Sequence, residues 1–419
     1  MTTNGKGTRN RTTRDKMVSA SLIAGALLAG LAAVAAQRRS VAAIAPSPAP
    51  APIAAPAAPP PAARPVTPSA PLAPAPVAQA ARPKVDLVFA LDTTGSMSGL
   101  IEGAKMKIWS IASFVARAQP TPDVRVGLVA YRDVGDAYVT RVFDLDSDLD
   151  RVYRRLLSFR ADGGGDTPEH VARALDEAVH KMSWSQSGGN AVRLIYLVGD
   201  APPHLDYNDG YDYAKAARAA AARNIQVHAI RCGTDPDTAT YWRKIASLGH
   251  GEFLTIDQNG GMREHRTPYD EELAKLHDEL DGTVVAYGAK GGATHAALEA
   301  AAAAPVAVKA ARAEFLSAKK EASETLADDL VGGVASGHVD LDKVAPADLP
   351  RSMAALKPAE RKEEIAKKAK DRENVLKQIA KVSAERDAFL KKSPEKPSGF
   401  DGEVQKTVER AGAAAGMKF

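Results

Sequence analysis

The chain has 419 residues, with 55 basic against 51 acidic side chains and a formal charge of +4. So mild a balance argues against nucleic acid as a partner, and the length allows two domains. A single cysteine, Cys232, excludes an intrachain disulfide and leaves the compartment unreadable from cysteine pairing.

Residues 1–16 form a basic n-region, with Lys6, Arg9, Arg11, Arg14 and Lys16 against Asp15. Residues 17–36 carry no charge and read as a signal peptide or a membrane anchor. Val34-Ala35-Ala36 offers small residues for cleavage, and the richness in Ala and Gly makes the run a marginal permanent span. The basic flank lies on its N-terminal side, so the remainder is expected to be exported. That means periplasmic or otherwise extracytoplasmic if the run is cleaved, and inner-membrane anchored if it is retained. Arg38 and Arg39 pull against this orientation. Residues 37–83 are dominated by Ala and Pro, which predicts a disordered, polyproline-like linker rather than a domain.

Residues 84–260 alternate strand and helix. Val85 to Leu91 is an apolar run of buried-strand type, and Gly99 to Ala118 carries Leu100, Ile101, Ala104, Ile108, Ile111, Ala112 and Val115 at helical spacing. Strands are expected over Val124–Tyr131, Ala137–Phe143, Ala191–Val198, Ile225–Ile230 and Glu252–Ile256. Helices are expected over Asp148–Phe159, Tyr211–Arg223 and Thr238–Leu248. This alternation predicts an α/β fold: a doubly wound, Rossmann-like, mainly parallel sheet flanked by helices. Trp109, Trp242 and Cys232 read as core.

Residues 261–395 read as a helical C-terminal extension, and 396–419 as a short amphipathic tail around Phe400, Val404 and Val408. Helix is expected over Asp270–Leu280 and over Ala293–Ala327 with a break at Pro305. Within Glu360–Leu390, the residues Ile365, Ala369, Val375, Ile379, Val382 and Phe389 follow a rough heptad. Either the helices fold back on the α/β domain or one another, or residues 360–390 self-associate as a coiled coil.

The chemistry gathers at strand ends. After the first strand comes Asp92-Thr93-Thr94-Gly95-Ser96, in which Asp92, Thr94 and Ser96 each offer an oxygen. Ligands of doubly wound sheets bind outside the carboxyl ends of the strands, and Asp200 falls at such an end too. A buried carboxylate there needs a partner or a cation. Between them, Gly163-Gly164-Gly165-Asp166-Thr167-Pro168 reads as a helix start, with Thr167 as N-cap and Pro168 as first helical residue. Two aspartates and three hydroxyls make an oxygen set suited to a hard cation such as Mg2+.

With those motifs in view, residues 84–260 resemble a von Willebrand factor type A domain carrying a metal-ion-dependent adhesion site. The Asp-x-Ser-x-Ser motif of that family corresponds to Asp92-Thr93-Thr94-Gly95-Ser96, with Thr94 in place of Ser. The later Thr corresponds to Thr167 in GGGDTPEH, and the later Asp to Asp200 in YLVGDAPPH. The resemblance implies a non-enzymatic interaction domain holding Mg2+ or Mn2+, which binds an Asp or Glu of a protein partner. Asp166, His170, His204 and Asp206 are the candidate partner-binding rim. The region from Tyr269 on, through DLPRSMAAL and ERKEEIAKKAKDR, is similar to the extension of bacterial exported proteins built on this domain.

Other readings stay open. A phosphohydrolase of haloacid-dehalogenase type would need an acid two residues after its nucleophile, and Thr94 stands there. A structural scaffold with a degenerate metal site is a second alternative. The acids between Asp206 and Asp212 resemble a calcium loop without its later Glu. Asp144, Asp146, Asp148 and Asp150 read as a solvated helix start.

Overall fold

The computed structural model describes residues 82–165, 167–186, 191–262, 266–319, 328–392 and 398–419. The expectations for 1–16, 17–36 and nearly all of 37–83 lie outside the described residues, as does Asp166. Among the described residues no helix is long and apolar enough to cross a membrane.

Six strands build one sheet: β1 (Lys84–Asp92), β2 (Asp123–Tyr131), β3 (Thr140–Asp146), β4 (Ala191–Gly199), β5 (Gln226–Cys232) and β6 (His250–Ile256). Their order is β3-β2-β1-β4-β5-β6, and every pair is parallel except β2 with β3. The central β1 is buried at every position after Lys84, which is why it reads as an unbroken apolar run. Its side chains still alternate: Val85, Leu87, Phe89 and Leu91 enter one core, Val88 and Ala90 the other. The charged Asp86 within it is wholly buried but satisfied, since Arg125 donates to both oxygens at 2.9 Å and the Ser185 N–H donates at 2.7 Å. The edge strand β3 starts at Thr140 rather than at the expected Ala137, because the Arg132 N–H to Val139 carbonyl bond (2.9 Å) commits the intervening residues to a turn.

Helices cover both faces. α1 (Ser98–Ala116) buries its whole predicted stripe and packs beside α2 (Leu149–Leu157). On the other face lie α3 (Val171–His180), α4 (Tyr213–Ala222) and α5 (Pro236–Leu248). Trp109, Trp242 and Cys232 are core residues as expected. The connections after β1 and β4 diverge between these two neighbouring strands, so the switch point of the sheet lies where Asp92 and Gly199-Asp200 end.

Among the described residues, the C-terminal helices longer than a single turn are α6 (Asp270–Gly282), α7 (Gly291–Ala302), α8 (Val306–Ala318), α9 (Leu330–Ala335), α10 (Pro358–Lys392) and α11 (Gly399–Ala414). Pro305 separates α7 from α8 as predicted. α8 packs on α1 and α6, and α10 lies against α6, α8 and α9. Ile365, Val375, Ile379 and Val382 of the heptad-like seam are buried within the chain, which corrects the coiled-coil expectation: the apolar stripe already has an intramolecular partner. Phe389, by contrast, is exposed.

Two contacts weld this extension to the sheet. Arg312 of α8, 1% exposed, donates to both oxygens of Asp150 on α2 (2.7 and 2.9 Å) and to Asp281 on α6 (2.7 Å). Asp150 is thus a buried ion-pair partner and not part of a solvated helix start, while Asp148 does cap α2 through the Arg151 N–H. Second, α11 lies against α1, β4 and β6. Phe400 sits 5.8 Å from the Phe89 ring, and the Tyr196 and Thr407 hydroxyls are bonded at 2.8 Å. The sheet's core therefore includes side chains from the far end of the sequence.

Candidate functional site

The end of β1 delivers Asp92 into a fully buried position. Its Oδ1 accepts from the Thr94 N–H (2.9 Å) and the Thr94 hydroxyl (2.7 Å), and the Thr94 and Ser96 hydroxyls lie 3.3 Å apart. Its Oδ2 is buried without a hydrogen-bond partner. Burial pushes the Asp92 carboxyl up to about 7; the two Thr94 bonds and Arg132 oppose that, and Asp200 adds to it. Gly199 makes room for the carboxylate, since a Cβ there would stand 3.1 Å from Asp92 Oδ2 and strike the Tyr131 hydroxyl. Asp200 follows, half-buried; its carbonyl accepts from the Thr238 hydroxyl (2.9 Å) and its carboxylate from Gln258 Nε2.

The second loop closes over the first through Gly95 N–H to the Gly163 carbonyl (3.2 Å). Gly164, at φ +76°, approaches so closely that a Cβ would lie 2.9 Å from Thr94 Cβ. The expected helix start at Thr167-Pro168 is not there. The Thr167–Pro168 peptide is cis, α3 begins at Val171, and His170 takes the N-cap position. The reason is that Glu169 is drawn into a parallel bridge with Pro203: its N–H donates to the Pro202 carbonyl (3.0 Å), and its carbonyl accepts from His204 (3.1 Å).

Thr167 is exposed on this loop, whereas Glu169 is 3% exposed and its Oε2 has no partner. Burial first, then Asp92, Asp133, Asp136 and Asp200, push the Glu169 carboxyl up to about 9. Sequence reading missed Glu169, although it stands two residues beyond Thr167 in the same Gly-rich loop. It also missed Asp133 and Asp136, which the β2–β3 turn supplies. Arg132, buried among these acids, donates to the carbonyls of Thr93 (3.1 Å) and Arg160 (2.8 Å).

The rim residues have defined partners. His170 is buried and bonded through Nε2 to Asp209 Oδ2 (2.7 Å). His204 is bonded to Asp206 (2.9 Å), lies 3.3 Å from Asp133 Oδ2 and stacks on Tyr207 at 4.1 Å. The acids of the calcium-like loop are dispersed: Asp206 serves His204, Asp209 serves His170, and Asp212 caps α4. Among the described residues no three His, Cys, Asp or Glu side chains could hold a metal by themselves. A cation at Asp92 would lean on the Thr94 and Ser96 hydroxyls, and the chemistry of that donor set fits a hard ion. The unpartnered buried oxygens of Asp92 and Glu169 fit it as well, because an ionised carboxylate so placed needs a counter-charge.

A doubly wound sheet whose switch point opens onto carboxylates and paired hydroxyls defines an open-sheet α/β domain. The particular family follows from comparison: residues 86–264 match the von Willebrand factor type A domain, and this part of the chain is such a domain. An ariadne-like RING finger protein of Acanthamoeba polyphaga mimivirus is 24% identical over 41% of this chain and 18% of its own length. The alpha-protein kinase vwkA of Dictyostelium discoideum is 31% identical over 29% of this chain and 19% of its own. The chain thus spans under a fifth of the length of these curated relatives. Among solved structures, the pilus adhesin SpaC of Lactobacillus rhamnosus GG aligns with a TM-score of 0.34 at 14% identity, covering 43% of this chain and 29% of that one.

Proposed function

We propose that this domain is a non-enzymatic, metal-dependent protein-interaction module. Asp92, Thr94, Ser96 and Asp200 would hold a Mg2+ or Mn2+ ion, with Glu169 in the place expected of Thr167. When bound, the ion supplies a Lewis-acidic position for an Asp or Glu carboxylate of a protein partner. The chain's own residues do the rest: Thr94 orients Asp92, Gly199 and Gly164 keep the loops close, and Arg132 fixes the carbonyls of the first and second loops. The observation that carries this reading is the buried, unpartnered Oδ2 of Asp92 beside two hydroxyls 3.3 Å apart.

Thermal unfolding of the full chain in EDTA and in Mg2+ or Mn2+, beside an Asp92→Ala, Asp200→Ala variant, tests it. Metal at about a hundred times its dissociation constant should stabilise the parent by about 2.7 kcal/mol. An equal response of parent and variant would overturn the reading. The haloacid-dehalogenase alternative gains no support, since Thr94 spends its hydroxyl on Asp92 and leaves no second acid at that position. The uncharged run 17–36 behind its basic flank supports export or inner-membrane anchoring, which protease accessibility in intact cells would test.

A further inference from the structure

We infer that Gln258, supplied by a fourth loop after β6, is a positioning residue that holds Asp200 for the ion as a neutral donor; this rests on the metal-binding reading above. Its amide Nε2 donates to Asp200 Oδ2 and lies 3.5 Å from the Ser96 carbonyl. Both neighbours are acceptors, so only the NH2 end of the amide can meet them. One side chain thereby ties the third loop to the first, at two of the residues assigned to the ion. The bond takes one oxygen of Asp200 and leaves the other for a cation. A neutral amide suits that task. Lys or Arg in its place would also hold the carboxylate, but would repel the ion that the carboxylate has to bind.

Gln258 is exposed, yet the fold gives it a fixed place. The carbonyl end of its amide lies against Gly233, just past β5: a Cβ there would strike Oε1, and the φ of +74° also calls for glycine. The Gly233 N–H donates to the Ile256 carbonyl (3.0 Å), which joins the ends of β5 and β6 where Gln258 follows. Its own turn closes through the Gly260 N–H to the Asp257 carbonyl (2.8 Å). Asn259 packs on the first turn of α1, where a Cβ at Gly99 would lie 2.7 Å from Asn259 Cβ. The Phe400 N–H, at the start of α11, donates to the Gly260 carbonyl (2.9 Å). The loop that carries Gln258 is thus held by α1 and by the far end of the chain. Outer contacts of this kind orient the groups that bind an ion, and losing one costs about 10- to 100-fold in metal affinity.

Titration of the full chain with Mn2+, read from the electron paramagnetic resonance signal of the free ion, tests this beside two variants. Gln258→Met keeps the length of the side chain and removes the donor. It should weaken Mn2+ binding about 10- to 100-fold, while the urea midpoint of the chain in EDTA stays at that of the parent. Gln258→Lys returns a donor with a positive charge and should bind Mn2+ no more tightly than Gln258→Met. Parent-like affinity in either variant would overturn the inference and leave the metal reading standing. A loss of affinity matched by a lower urea midpoint in EDTA would overturn it too, since packing alone would then explain both. A parent that binds no Mn2+ would remove this inference and the metal reading together.

Discussion

Raising the pH of the metal-free protein takes protons from two buried carboxyls that the fold prefers to keep neutral. Burial places Asp92 at about 7 and Glu169 at about 9, against ordinary values of 3.8 and 4.5. Between the ordinary and the raised value, the folded chain binds more protons than the unfolded one, so stability falls as pH rises. For Asp92 the loss accumulates from about pH 4 to pH 7, and at about 1.4 kcal/mol per unit it reaches roughly 4 kcal/mol. Glu169 extends the decline towards pH 9. A bound cation reverses the sign, because only the ionised carboxylates hold it. Near neutral pH the raised values keep Glu169, and part of Asp92, protonated, so binding should release about one to two protons. Titration calorimetry of Mg2+ or Mn2+ in PIPES and in Tris at about pH 7 reads that release from the buffer-dependent heat. It should fall below about half a proton near pH 9.5. Thermal unfolding from about pH 5 to pH 9 should show the metal-induced shift growing with pH. A buffer-independent binding heat at pH 7, or metal-free stability that stays flat between about pH 5 and pH 8, would refute the reasoning.

Four further outcomes are expected. Glu169→Gln should weaken metal binding about 10- to 100-fold while Thr167→Val leaves it nearly unchanged; calorimetry with the opposite ranking would return Thr167 to the site. Arg312→Met strands Asp150 and Asp281 without their cation and should cost about 3–5 kcal/mol in urea unfolding, so a loss below about 1 kcal/mol would show that the extension is not anchored there. Phe400→Ala opens the core between α11 and β1 and should cost about 3–5 kcal/mol. Deleting 399–419 uncovers Phe89 and Tyr196 and should abolish the cooperative transition seen by near-ultraviolet circular dichroism. Cooperative unfolding of the truncated chain would show the sheet to be complete without α11.

The sequence by itself determined the α/β layering and the position of its first and third candidate loops. Runs such as Val85–Leu91 and the stripe of α1 are set by periodicity that neighbouring residues carry, and a strand buried on both faces has to be apolar throughout. Asp92 and Asp200 fall at the carboxyl edge of the sheet for the same reason, since a polar residue at the end of such a run marks where the strand stops. Only the tertiary structure decided the second loop. Thr167-Pro168 has the local chemistry of a helix start, but the bridge from Glu169 to Pro203 holds it extended and turns the next acid inward. Asp150 likewise looks like its neighbours in an acidic run, and only the arrival of Arg312 from α8 makes it a buried pair. The seam of α10 could serve another copy or this one, and α11 could be a loose tail; α6, α8 and the open face of β4 decide otherwise. Such choices depend on which distant residues meet. Local propensity does not encode that, because burial and pairing energies come from contacts that exist only once the chain has folded.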